Sequence, residues 1–290
     1  MTSHVLRRLA PTAALAAALV AGLLATAPST AAAAAPVDPT VSASAGAAGT
    51  SGGPTFSARE RGFDVSYPQC GSVLPTAADF AVVGVDGGRP FDVNACLADQ
   101  VAWAHQFGRP AYYVNSANPG PKLSDHWPLG QRKPQVCSRA KPDSVACAFD
   151  YGVNAAKDAF ARARAAALSV GAPDVRRSTW WLDVETHNTW ESLEYGELAK
   201  YLRNDTAVLA GMTRALHKRG VDVVGVYSTG HQWDRITGGA SLDRAPVWYA
   251  GVGSAATARS RCKPEWSFTG GRVRMTQFLA PSGLDGYLRC

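Results

Sequence analysis

The stretch TWWLDVETHNTW, residues 179–190, places two carboxylates two positions apart in a run that otherwise reads as a buried, aromatic-rich strand. Side chains two apart on a strand point the same way, so Trp181, Asp183 and Glu185 share one face and Trp180, Leu182 and Val184 the other. The second face is wholly apolar and predicts packing against helices. The first carries both acids toward an enclosed interior, with Glu185 near the strand's C-terminal end.

Similar β-type runs occur at 62–66, 79–86, 110–114, 222–227, 246–250 and 272–278, and helical patterns lie at 93–107, 153–168 and 195–219. Alternation of this kind predicts a parallel sheet with crossover helices. Seven strands, or eight with a short one near 284–288, give an α/β fold, a single irregular TIM-like (β/α) barrel. The alternative is an open doubly wound sheet, but no G-x-G-x-x-G follows the first strand. Glycines 108 and 220 close two of the helices. Residues 115–150 are too rich in Gly, Pro and polar side chains for a core element, and an insertion after the third strand stands at the C-terminal mouth of a barrel, where active sites are built.

Three segments follow from composition. Residues 1–35 read as a secretory signal peptide, with Arg7 and Arg8 ahead of an Ala/Leu-rich run; the arginine pair is a weak sign of twin-arginine export, and the general secretory route is the expectation. Residues 36–56, almost without large apolar side chains, read as a disordered leader, and 57–290 as the barrel domain. No later run is long and apolar enough to span a membrane, so a secreted, extracellular protein, expected as a monomer, follows. The chain has 29 basic and 23 acidic residues. That mild excess suits a mixed solvated surface or anionic wall polymers, and no basic cluster interleaved with aromatics points to nucleic acid.

Cysteines 70, 96, 137, 147, 262 and 290 all lie in the exported part, where disulfides persist. Six cysteines allow 15 pairings. Neighbour pairing (70 with 96, 137 with 147, 262 with 290) is the expectation, because each bond would pin a loop or the C-terminus to nearby chain. The histidines lack ligand spacing, so neither a metal nor another cofactor is expected, and Ser66 and Ser228 sit in no G-x-S-x-G elbow.

Asp64, in GFDVSYPQ, also lies toward a strand end, and Asp285, in GLDGYLRC, near the last one. Acids gathered from separated strand ends suit sugar cleavage, with one protonating the leaving oxygen and others stabilising positive charge at the anomeric carbon. Aromatic rings at such a mouth offer platforms to the C–H faces of sugars; Tyr112, Trp181, Tyr227 and Trp248 are the candidates, and Trp190, Trp233 and Trp266 could rim the cleft.

The ordered motifs GFDVSYPQ, WWLDVE, GVYSTGHQW, PVWYAG and MTQF...LDGYLRC, spread over residues 61–290, resemble the glycoside hydrolase family 25 lysozymes, in particular secreted actinobacterial relatives. The resemblance implies an irregular β/α barrel that cleaves the β-1,4 bond between N-acetylmuramic acid and N-acetylglucosamine in peptidoglycan. It implies Glu185 as general acid, Asp183 as partner carboxylate, Asp64 after the first strand and Asp285 on the last. It leaves open whether Asp183 attacks or orients the substrate's acetamido group. Three positions depart from the family pattern: GVDGG ends the second strand, with Asp86 as the substitute acid, Tyr113 replaces a histidine and Tyr287 an asparagine. These departures keep two alternatives in view, a wall-glycan-binding protein without turnover and a hydrolase of another N-acetylated glycan.

Overall fold

The computed structural model describes residues 61–279 and 285–290, so the expected signal peptide and leader lie outside the described residues. Eight strands close into a barrel in chain order: β1 (Arg61–Val65), β2 (Phe80–Gly84), β3 (Ala111–Asn115), β4 (Thr179–Asp183), β5 (Val223–Ser228), β6 (Val247–Val252), β7 (Val273–Leu279) and β8 (Asp285–Arg289). From β1 to β7 every neighbour is parallel, but β8 runs antiparallel to both β7 and β1. The uniformly parallel sheet is therefore corrected at its last strand. Only residues 280–284 separate β7 from β8, too few for the crossover that a parallel return needs.

The helices are α1 (Leu97–His105), α2 (Gly120–Leu123), α3 (Val145–Ser169), α4 (Glu191–Glu194), α5 (Ala199–Lys218), α6 (Gly230–Thr237) and α7 (Ala255–Ser260). Helix α3 begins eight positions before the expected 153, because the Ser144 hydroxyl accepts from the Cys147 amide as an N-cap. The insertion after β3 thus ends at Ser144. Helix α5 stops where Gly220 adopts φ of 85°, the left-handed conformation expected of it.

Alternation along the strands separates two cores. Outside the barrel, Val83, Tyr112, Trp180, Leu182 and Val226 pack against the Ala-rich face of α3 and against Leu209, Met212 and Leu216 of α5. Inside it, Phe80, Val82, Trp181, Trp248, Met275 and Tyr287 fill the interior beneath the mouth. The disulfides are Cys70–Cys96, Cys137–Cys147 and Cys262–Cys290, the neighbour pairing. The second holds the insertion to the first turn of α3, and the third ties the C-terminus to the segment after α7. No helix among the described residues is long and apolar enough to cross a membrane.

Candidate active site

The β3–β4–β5 register sets Asn115, Asp183 and Tyr227 at one level, at the C-terminal ends of their strands. Asp183 is buried, whereas Glu185, two residues on and just past the strand, is half-buried at the rim. Asp64 enters from β1 and Asp285 from β8. These four carboxylates line a cavity of about 190 Å³ together with Tyr113, Tyr227, Trp248, Gln277 and Tyr287.

Hydrogen bonds hold the walls. The Tyr287 hydroxyl donates to Asp64 Oδ1 at 2.6 Å. Gln277 Nε2 donates to Asp285 Oδ2 at 2.9 Å and to the Tyr287 oxygen at 3.2 Å. The Gln277 Oε1 accepts from the Tyr227 hydroxyl at 3.0 Å and from the Gly251 amide at 2.7 Å. Around Glu185, the Trp190 indole donates to its carbonyl at 2.9 Å, and Gln232 Oε1 accepts from the Thr186 amide at 2.6 Å.

Enclosure dominates the electrostatics, because burial disfavours a charged carboxylate. It lifts Asp64 to about 6, with the Asp285 charge adding to the rise and the Tyr287 and Tyr113 hydroxyls opposing it. Asp183 is raised well above the usual carboxylate range, first by burial and then by the charges of Glu185, Asp86 and Asp64. Glu185 is raised by burial, against a hydrogen bond to Gln232 and the attraction of His187. Asp285 is raised by burial against its bond from Gln277. Titrating as one interacting group, Asp183 and Glu185 hold a proton well above the pH at which a solvated carboxyl has lost it.

A larger hollow of about 680 Å³ adjoins the same loops, lined by Arg89, Asp125, His126, Tyr151, His187 and Asn188 among others. Glu185 lines the acidic cavity and His187, Asn188 and Thr189, which follow it in the chain, line the hollow. Among the described residues no group of three or more His, Cys, Asp or Glu side chains is placed to hold a metal ion.

Residues 153–264, from α3 through β6 and α7 into the following turn, match the family model for lysozyme-like protein 1. This stretch is lysozyme-like. It contains Asp183, Glu185, Tyr227 and Trp248 and leaves Asp64 and Asp285 outside. Among solved structures, the chain is similar to a muramidase from Acremonium alcalophilum (16% identity over 80% of this chain and 94% of that one, TM-score 0.48). It is also similar to a family GH25 lysozyme from Aspergillus fumigatus (15%, 80% and 95%, TM-score 0.47) and to the bacterial lysozyme from Streptomyces coelicolor (15%, 81% and 93%, TM-score 0.48). No curated protein matches the chain by sequence.

Within and around the lysozyme-like stretch the structure separates the expected aromatics. Tyr227 and Trp248 line the acidic cavity. Tyr112 does not: it is wholly buried on the outward side of β3, tilted against Trp180 with ring centroids 5.2 Å apart, and its neighbour Tyr113 faces the acids instead. Trp181 lies below the cavity, edge-on to Trp248 at 5.6 Å, and lines the opposite, basal end of the barrel. Asp86 is buried beside the site, accepting from the Asn115 amide at 3.0 Å and from its side chain at 2.6 Å, and burial lifts it to about 7. Trp190 and Trp233 are core side chains rather than rim, and Trp266 stacks with the Arg261 guanidinium 3.2 Å from its centroid. Gln277 is the cavity residue missed from sequence; it shares the inward face of β7 with Met275, and an amide two residues on from an apolar side chain is the signal that marks it.

Proposed function

We propose that the chain is a secreted glycoside hydrolase of peptidoglycan that cleaves the β-1,4 bond between N-acetylmuramic acid and N-acetylglucosamine, with Glu185 as general acid. The observation that carries this reading is the convergence of Asp64, Asp183, Glu185 and Asp285, from three separate strands or strand ends, on one cavity at the barrel mouth. The lysozyme-like stretch around the central pair supports it.

Glu185, at the rim and kept protonated by its surroundings, gives its proton to the leaving glycosidic oxygen as the C–O bond breaks. The negative charge left on the Asp183/Glu185 pair then faces the positive charge growing at the anomeric carbon. Asp183 acts on that carbon directly or by orienting the acetamido group. Asp64 and Asp285 add to the negative field, held in place by Tyr287 and Gln277. Tyr227 and Trp248 offer the sugar ring a flat apolar surface. The adjoining hollow provides room for further units of the polymer.

The test is release of reducing ends from purified peptidoglycan by the oxidised chain and by its Glu185→Gln variant, with free amines followed in parallel. Reducing ends from the parent alone, without new amines, support the assignment. Equal activity of the variant removes Glu185 from the role, and folded protein that binds wall glycan without cutting it transfers the reading to a binding protein. Product from chitin oligomers alone changes the substrate.

A further inference from the structure

On the helical wall of the barrel, apart from the mouth, α3, α5 and the insertion enclose a groove of about 430 Å³ lined by Lys133, Lys157, Arg214, Lys218 and Arg219. No carboxylate lines it, and among the described residues none of the five forms an ion pair. Of the acids on α3, Asp150 is buried, accepts from the Gln135 amide and is attracted by Lys157, and Asp158 pairs with Arg162. Asp243 borders the neighbouring hollow that shares Arg214 and Lys218. Lys218 and Arg219 end α5, where cations also offset the helix dipole, and Lys157 faces Asp150, so the clear excess is Lys133 and Arg214.

We infer that this groove binds an extended polyanion with regularly spaced phosphodiesters, the chemistry of an anionic wall polymer. Repeated uncompensated cations along a groove track a charged backbone and gain from counterion release. The other lining side chains, Pro134, Val153 and Ala215, are small and include no aromatic ring. That lining gives bases nothing to stack on and supplies no bulky apolar anchor for a bilayer. The groove lies apart from the mouth, so a chain held on this wall leaves the acidic cavity open.

The measurement is binding of a synthetic poly(glycerol phosphate) chain to the full protein, followed by fluorescence anisotropy between 50 and 200 mM salt. With five cations engaged, affinity is expected to fall by about a hundredfold over that range, and by only about tenfold in a Lys133→Gln/Lys157→Gln/Arg214→Gln variant that already binds more weakly at 50 mM. A control with three exposed cations outside the groove, Lys141→Gln/Arg203→Gln/Arg272→Gln, is expected to keep the parent's affinity and slope. Equal loss in the control would show that net charge, not the groove, binds, and an unchanged groove variant would overturn the site. Tighter binding of single-stranded DNA or of anionic phospholipid vesicles would overturn the choice of polymer. The probe has no glycosidic bond, so failure of the hydrolase reading leaves this result untouched.

Discussion

The Tyr287 hydroxyl donates to Asp64 Oδ1 at 2.6 Å across the seam where β8 closes the barrel against β1. One bond therefore joins the last antiparallel strand to the first acid of the cavity. Burial holds the Tyr287 phenol well above its ordinary value, so it stays a donor throughout the working pH range. Tyr287→Phe removes a bond to the charged form of Asp64, and its pKa is expected to rise above about 6. The variant is expected to lose about 1–2 kcal/mol in denaturant unfolding at pH 8 and less at pH 5, where Asp64 is already protonated. Equal losses at the two pH values would show that the bond does not govern Asp64.

Stability should fall as pH rises from mildly acidic to neutral. Burial lifts Asp64 to about 6 and Asp86 and Asp205 to about 7, from an ordinary 3.8. Between those limits the folded chain keeps protons that the unfolded chain has released, so stability is fullest below about 4 and declines until the raised values are passed. Unfolding midpoints are expected to be higher at pH 5 than at pH 8. Asp86→Asn should flatten that difference, and a midpoint that climbs toward pH 8 would show that these acids are charged in the fold.

What sequence makes legible here is parity and order. The TWWLDVE run assigns Asp183 inward and Leu182 outward because only one of its faces is wholly apolar. AYYV offers no such contrast, since tyrosine suits a buried helix-facing position and a polar cavity equally, and so Tyr112 and Tyr113 exchange places. Trp190 and Trp233 read as exposed because they lie outside the strands. Their indoles are nevertheless satisfied inside the fold, by the Glu185 carbonyl at 2.9 Å and the Ala240 carbonyl at 3.0 Å. Backbone acceptors reached by a loop's own path have no sequence pattern. The direction of β8 is a reading missed from sequence, although the short link before the strand carries it.

Close packing of α3 on α5 depends on two glycines. A Cβ built on Gly152 would come within 2.0 Å of the Val208 carbonyl oxygen, and one on Gly211 within 2.1 Å of that of Phe149. Since backbone cannot yield as a flexible side chain does, Gly152→Ala must push the helices apart, despite alanine's better helix propensity. A loss of about 1–3 kcal/mol is expected in urea unfolding. Gly253→Ala, where an added Cβ meets nothing within 4 Å, is the comparison and should stay within about 0.5 kcal/mol of the parent.

Gln277 uses its whole hydrogen-bonding capacity inside the cavity wall, two donors to Asp285 and Tyr287 and one oxygen shared by Tyr227 and Gly251. Gln277→Met keeps the volume but leaves those partners unpaired, at a cost of about 1–3 kcal/mol. Asp285 also loses the bond that fixes it, so kcat/KM on wall fragments is expected to fall by about tenfold or more, even under conditions where the variant is fully folded. Gln277→Glu sharpens the test. Its carboxylate can still accept from Tyr227 and Gly251, but when charged it offers Asp285 no donor and repels it. Activity of this variant should therefore be low at neutral pH and recover toward acid, as the new carboxyl gains the proton it needs to donate. Recovery in the glutamate variant but not in the methionine variant would identify the hydrogen bond to Asp285, rather than packing of β7, as what the cavity requires of Gln277.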